Sequence, residues 1–234
     1  MTNPPASIRS ARGFLWFCML PVVIFLVVAA LIPAVLAISD SLTNLSLASF
    51  LPSGEFVGLG NYQELVGRDE KFYAALLRTA IFVILVVPVE LVLGLAIALL
   101  LDREFAARRL TITLVMLPTM VAPVVVGMMW RLLLMPSFGP VTYWLNQFGL
   151  FTAQSIFSGE LSAFLMLAII DIWEWTPFMM LILLAGLTAL PKDPIEAAHL
   201  DGASNWQVLR HVQLPLLRPL IVIAVMFRTI DVSS

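Results

Sequence analysis

Residues 194–206 read PIEAAHLDGASNW, a polar, glycine-kinked segment set between two strongly apolar stretches. Pro191 and Pro194 end the apolar run before it, and Asp193 is placed to cap the next helix. PIEAAHL reads as that short helix, with Pro194 in its first turn and Glu196 near the positive end of its dipole. Gly202 stands where such a helix stops in a left-handed residue. A second helix, ASNWQVLRHVQL, is capped at Ser204 or Asn205 and runs into the apolar PLLRPLI. Ala197 and Ala198 keep the first helix thin, so another protein's backbone can close on it. The competing reading is an amphipathic hairpin lying on lipid headgroups. It fits poorly, because Lys192, Asp193, Glu196, Asp201, Arg210, His199 and His211 form no basic face.

Working outward, the chain of 234 residues is 61% hydrophobic and 12% charged, with mean hydropathy +1.00. A soluble domain is nearer half apolar and a quarter charged, so an integral membrane protein is expected. A net charge of −2 without any Lys/Arg cluster points away from nucleic acid. Crossing a hydrocarbon core of ~30 Å takes ~20 apolar helical residues. Five stretches meet that length: about 14–38, 76–101, 110–134, 161–189 and 214–231. The expected fold is therefore an all-α, polytopic helical bundle. It has an N-terminal tail at 1–13, a membrane domain at 14–231 and the polar loop at 190–213. The first stretch has Arg9 and Arg12 before it and a cleavage-like Val35-Leu36-Ala37, but its apolar run is too long for a signal peptide. It is read as a retained span.

Basic residues orient the bundle. Arg9 and Arg12 mark the tail, Arg103, Arg108 and Arg109 the short 102–109 turn, and Lys192 and Arg210 the 190–213 segment. Residues 39–75 and 135–160, read as long outer loops, are poorer in net positive charge. The N-terminus and the PIEAAHLDGASNW segment are thus expected on the cytoplasmic side. The lone Cys18 cannot form an internal disulfide and reads as a small buried hydrophobe.

No phosphate-cradling loop, HExxH or GxSxG motif occurs, and the two histidines lack a convergent ligand set. The chain is not expected to be an enzyme or to hold a cofactor or metal. Polar residues at membrane depth carry more information. Asp171 lies ~15 Å into the fourth stretch, with Glu174 on the same face. A carboxylate there costs ~2.5–3.5 kcal/mol on insertion scales, so something must offset it. Trp173 and Trp175 flank the pair, and flat aromatic faces beside carboxylates suit a polyhydroxylated ligand. Alternatively the tryptophans pack against neighbouring helices, and the carboxylates pair with Arg131 or Arg228. Glu90 lies similarly deep beside Pro88, while Arg228 and Asp231 form an i,i+3 pair that can neutralise itself. Pro177 permits a kink. Together Glu90, Asp171, Trp173, Glu174, Trp175, Arg228 and Asp231 are candidates for one polar interior.

The array Glu196-Ala197-Ala198, three residues, Gly202, nine residues, Val212, one residue, Leu214-Pro215 resembles the EAA loop of ABC importer permeases, with Val for the usual Ile. FVGLGNYQEL at 56–65, GLAIALLLDREF, MLPTMVAPVVVGMMWRLLL and IWEWTPFMMLILLAGLTALPKDPIEAAHLDGAS are similar to the carbohydrate (maltose-type) branch of that family. The resemblance implies a MetI-like permease fold and a binding-protein-dependent importer of the bacterial inner membrane. It further implies a second permease subunit, two cytoplasmic ATPase subunits holding ATP and Mg, and an external solute-binding protein. The coupling positions it implies are Glu196, Ala197, Ala198, Asp201 and Gly202. A sugar or polyol is the expected cargo; glycerol phosphate served by Arg228 is the alternative, and a secondary transporter subunit the rival class. Family members usually continue past FRTID through a final span, whereas VSS closes this sequence, so that span is expected to be missing.

Overall fold

The computed structural model of the chain describes residues 6–44, 54–149 and 156–233. Among these, every regular element is helical; the one β-like feature is an isolated bridge between Thr43 and Phe56. Two compact units divide the chain, residues 1–75 and 76–234.

The first unit holds α1 (Ala6–Leu26), a π-helical turn (Val27–Leu31), α2 (Ile32–Ser41) and α3 (Gly60–Arg68). The π turn has a local cause. Pro33 has no N–H and its ring crowds the carbonyl four residues back, so the helix widens ahead of it. The helical stretch Trp16–Ser41 is long and apolar enough to cross a membrane. Cys18 is exposed on it rather than buried, as are all its neighbours over Trp16–Leu26. The outer segment read as a loop is partly helical: Asn61 donates from Nδ2 to the carbonyls of Ser41 and Thr43, tying the start of α3 to the end of α2. The LPSGEF turn falls largely outside the described residues.

The second unit is built on α4 (Glu70–Leu101, which begins in the first unit), α8 (Glu160–Ala189) and α11 (Leu214–Ser233). Trp16–Ser41, α4 and α8 are the three described helices long and apolar enough to span. At ~1.5 Å per residue α4 and α8 exceed the hydrocarbon thickness. α11 is long enough as well, but carries Arg218, Arg228 and Asp231. Close packing holds these helices, since in lipid small residues and van der Waals fit replace the hydrophobic drive. A Cβ on Gly94 of α4 would sit 2.7 Å from Met179 Cβ and 2.9 Å from the Met180 nitrogen, so the α4 and α8 backbones touch there. A Cβ on Gly186 would meet the Leu217 and Leu220 methyls at 2.7 Å, marking the α8–α11 contact. Ala98, Leu101, Met180, Leu183, Leu187 and Leu217 close the core at one end of the unit, with Ile112 and Val115 packed on it.

The stretch at 110–134 is divided. α5 (Arg108–Met116) gives way to a 3-10 turn (Pro118–Met120), and α6 (Pro123–Leu133) starts afresh. Ala122 is extended (φ −63°, ψ 135°), as expected of a residue before proline. At 11 residues, α6 is roughly 16 Å long, about half a hydrocarbon core. The tight 102–109 turn is clamped by Arg108, whose Nε donates to the Leu101 carbonyl at 2.6 Å. The region after α6 also contains helix, α7 (Pro140–Gln147), where the sequence suggested only loop.

Candidate functional site

Arg228 of α11 is the centre of an ion-pair cluster joining three helices. Its Nε donates to Glu90 Oε2 at 2.8 Å and Nη2 to Glu90 Oε1 at 3.0 Å, a bidentate fork from α11 to α4. Nη2 also donates to Asp171 Oδ2 of α8, and Nη1 to Asp231 Oδ2 at 2.5 Å within α11. The Trp175 ring covers the guanidinium, its centroid 4.8 Å from Cζ. Glu90 and Arg228 are sealed, with 0% and 1% of their side chains exposed, whereas Asp171 keeps 24% and Asp231 49%.

Depth explains the meeting. Leu101 and Leu217 share one core cluster, so the ends of α4 and α11 near them lie together. Counted from those two residues, Glu90 is about 17 Å along α4 and Arg228 about 17 Å along α11. Two opposite charges at matched depth in hydrocarbon have each other as the nearest compensation. The i,i+3 pairing of Arg228 with Asp231 forms as the sequence suggests, but it is only one arm of a larger set. The Glu90–Arg228 fork was not legible as a pair. Arg131, offered as an alternative partner, is exposed on α6 and takes no part in these ion pairs.

The aromatic residues divide. Trp175 is occupied by Arg228 and by a T-shaped contact to Phe178 at 6.0 Å. Trp173 is 41% exposed and makes a T-shaped contact with Trp130 at 5.6 Å. Glu174 is buried, and its Oε1 has no hydrogen-bond partner; the Trp130 Nε1 and Thr176 Oγ1 atoms are likewise buried and unpartnered. Trp130 and Thr176 were missed in the sequence. A tryptophan at membrane depth whose N–H needs an acceptor is the signal for the first; nothing marked the second.

The PIEAAHLDGASNW segment folds into two short helices and a corner. α9 (Lys192–Leu200) starts two residues earlier than expected, with Pro191 as its N-cap. Asp193 therefore does not cap it but lies in the first turn, where its charge still favours the dipole. The end of α9 is a Schellman motif: Ala203 N–H donates to the Ala198 carbonyl and Gly202 N–H to that of His199, both at 3.0 Å, with Gly202 at φ +82°. Ser204 then caps α10 (Asn205–Val208) in a capping box with Gln207, whose Oε1 accepts from the Ser204 N–H at 2.7 Å. A π turn (Leu209–Gln213) precedes Pro215 and leads into α11. Glu196, Ala197, Asp201 and Gly202 are exposed and Ala198 is half-buried. Two large apolar side chains that sequence reasoning passed over stand out here: Leu200 is 88% exposed and Trp206 65%.

Residues 65–232 match the family model described as binding-protein-dependent transport system inner membrane component. The chain is 38% identical over 219 residues to the probable ABC transporter permease protein y4oQ of Sinorhizobium fredii, covering 94% of this chain and 70% of that one. To the trehalose/maltose transport system permease protein MalF of Thermococcus litoralis it is 36% identical, covering 78% of this chain and 61% of the relative. To the trehalose transport system permease protein SugA of Mycobacterium tuberculosis it is 37% identical, covering 75% and 55%. The chain thus spans between 55% and 70% of the length of these relatives. A chain of a bacterial ABC transporter that imports the acidic polysaccharide alginate superposes with a TM-score of 0.73 at 23% identity, covering 93% of this chain and 73% of that one; at that identity the likeness concerns the fold. A helical membrane unit with these matches leads to one conclusion: the chain belongs to the inner membrane components of binding-protein-dependent transport systems, and is a transport subunit of the ABC transporter permease family.

Proposed function

We propose that the chain forms half of the translocation pathway of an ATP-driven importer for a sugar or polyol, and takes its energy through the α9–α10 corner. A second permease subunit supplies the other half, and two ATPase subunits bind ATP and Mg on the cytoplasmic side. A solute-binding protein delivers cargo from outside. The five apolar stretches cross the inner membrane, with the broken 110–134 stretch as one crossing and the N-terminus in the cytoplasm.

The observation that carries this reading is the exposed corner itself. Its backbone is fixed by the Gly202 and Ser204 motifs, while Leu200 and Trp206 stand in solvent beside Glu196 and Ala197. Large apolar side chains on a polar, self-capped corner need a protein cover. An ATPase cleft provides one, with Glu196 as an ionic contact, Ala197 and Ala198 as close-packing positions and Asp201 and Gly202 setting the turn. The sugar or polyol class is supported by the trehalose and maltose names of the relatives and by the carboxylate–tryptophan cluster. Asp171, Trp173, Trp175 and Asp231 keep exposed surface; Glu90, Glu174 and Arg228 are buried behind them.

Pull-down of the tagged chain from native membranes tests the reading. An ATPase subunit should accompany the wild type and be lost from Glu196→Ala, while membrane insertion is unchanged. Normal transport by both Glu196→Ala and Gly202→Pro in vesicles would sink it.

A further inference from the structure

The guanidinium of Arg228 has five N–H groups to give, and the cluster leaves it almost nothing to offer a substrate. Three donating nitrogens reach three carboxylates, and Glu90 takes two of the bonds. Its face is covered by Trp175, and only 1% of the side chain is exposed. A fourth carboxyl, Glu174, stands three residues from Asp171 on the same face of α8. It is 5% exposed, and its Oε1 has no hydrogen-bond partner. Three carboxylates thus hold one cation, with a fourth carboxyl one helical turn from Asp171. With even one of them ionised no net positive charge is left over, and the charged groups with exposed surface beside Arg228, Asp171 and Asp231, are acidic.

We infer that this arrangement is a charge filter: the Arg228–Glu90 fork ties α11 to α4 as an internal counter-ion, and the remaining carboxyls make the permease accept neutral polyhydroxylated solutes and reject anionic ones. The unpartnered Glu174 oxygen calls for a donor, which a hydroxyl supplies and a carboxylate or phosphate does not. An anion entering here meets like charge in a medium of low dielectric. This rests on the sugar or polyol reading and removes glycerol phosphate from it, because the cation that cargo requires is already consumed. It also separates this chain from the alginate transporter, with which it shares a fold and whose cargo is acidic.

The test leaves out the solute-binding protein, whose own selectivity would mask the effect. The permease is purified from its native membrane with the subunits that accompany it and placed in nanodiscs. Tryptophan fluorescence is titrated with two isosteric pairs, glucose against glucuronate and glycerol against glycerol 3-phosphate. The neutral member of each pair is expected to bind at least about tenfold more tightly, equivalent to ~1.4 kcal/mol. In Asp171→Asn/Asp231→Asn that preference should shrink to about threefold or less. Equal binding within the pairs in the wild type overturns the inference by itself, so the test stands even if the variant fails to fold. A preference that survives in a folded variant overturns it too. Binding of neither neutral probe refutes the sugar or polyol reading, and the filter with it.

Discussion

Removing Arg228 should cost far more than removing the Arg228–Glu90 pair together. Arg228→Met leaves Glu90, with no exposed side-chain surface, as an uncompensated buried charge. Breaking a buried pair from one side costs about 3–5 kcal/mol. Asp171 and Asp231 lose this contact as well, but each retains solvent access, 24% and 49%, so they add little. Glu90→Gln is milder. Two charge-assisted bonds of 2.8 and 3.0 Å weaken, while Asp171 and Asp231 still hold the guanidinium. A loss of about 1.5–3 kcal/mol is expected. The double variant Glu90→Leu/Arg228→Met removes both buried charges and fills the space with hydrocarbon. It should return to within about 1 kcal/mol of wild type, since well-packed apolar replacements of buried pairs are often neutral. Reversible unfolding in mixed detergent micelles, run as a double-mutant cycle, reads the coupling directly. If Arg228→Met alone loses under about 0.5 kcal/mol, or the double variant is no better than that single one, the cluster is not the tie between α4 and α11.

Backbone geometry sets the other outcomes. Gly94→Leu should abolish assembly of the second unit, because even a Cβ there would lie 2.9 Å from the Met180 backbone nitrogen; Gly186→Ala should be tolerated better, since the Leu217 and Leu220 side-chain ends can move. Detergent-extracted yield and protease resistance separate the two, and equal behaviour would contradict the close α4–α8 contact. Gly202→Ala meets no atom within 4 Å, so its cost is the left-handed backbone alone, about 1–2 kcal/mol. Hydrogen exchange of the Gly202 and Ala203 amides should then accelerate roughly 5–30-fold; unchanged protection would show that the Schellman bonds do not hold the corner.

Much of this was legible because membrane depth restricts what the chain can do. Twenty apolar residues in a row have one spanning solution per segment, and the corner announces itself through Gly202 and a cap at Ser204 or Asn205. The sequence misled where a local signal competed with another. Asp193 is a good capping residue, yet Pro191 already ends the previous helix and takes the N-cap position. The 110–134 stretch is apolar throughout, but Pro118 and Pro123 outweigh hydropathy and break it. Residues 60–68 and 140–147 looked like loops because they are short and polar enough to read as turns. The Glu90–Arg228 fork joins positions 138 apart. No local pattern encodes that; only the arithmetic of depth along two helices brings them together.

The corner at residues 197–207 satisfies its own backbone. The carbonyls at the end of α9 are bonded through Gly202 and Ala203, and the N–H groups opening α10 are met by Ser204 and Gln207. Glu196, Leu200 and Trp206 take no part in those bonds. Shape and recognition are therefore written in different letters of the same dozen residues. Selection, or an engineer, can rewrite which partner this surface fits without renegotiating how it folds. In the assembly proposed above, two permeases share such a corner and still meet their ATPases with different faces.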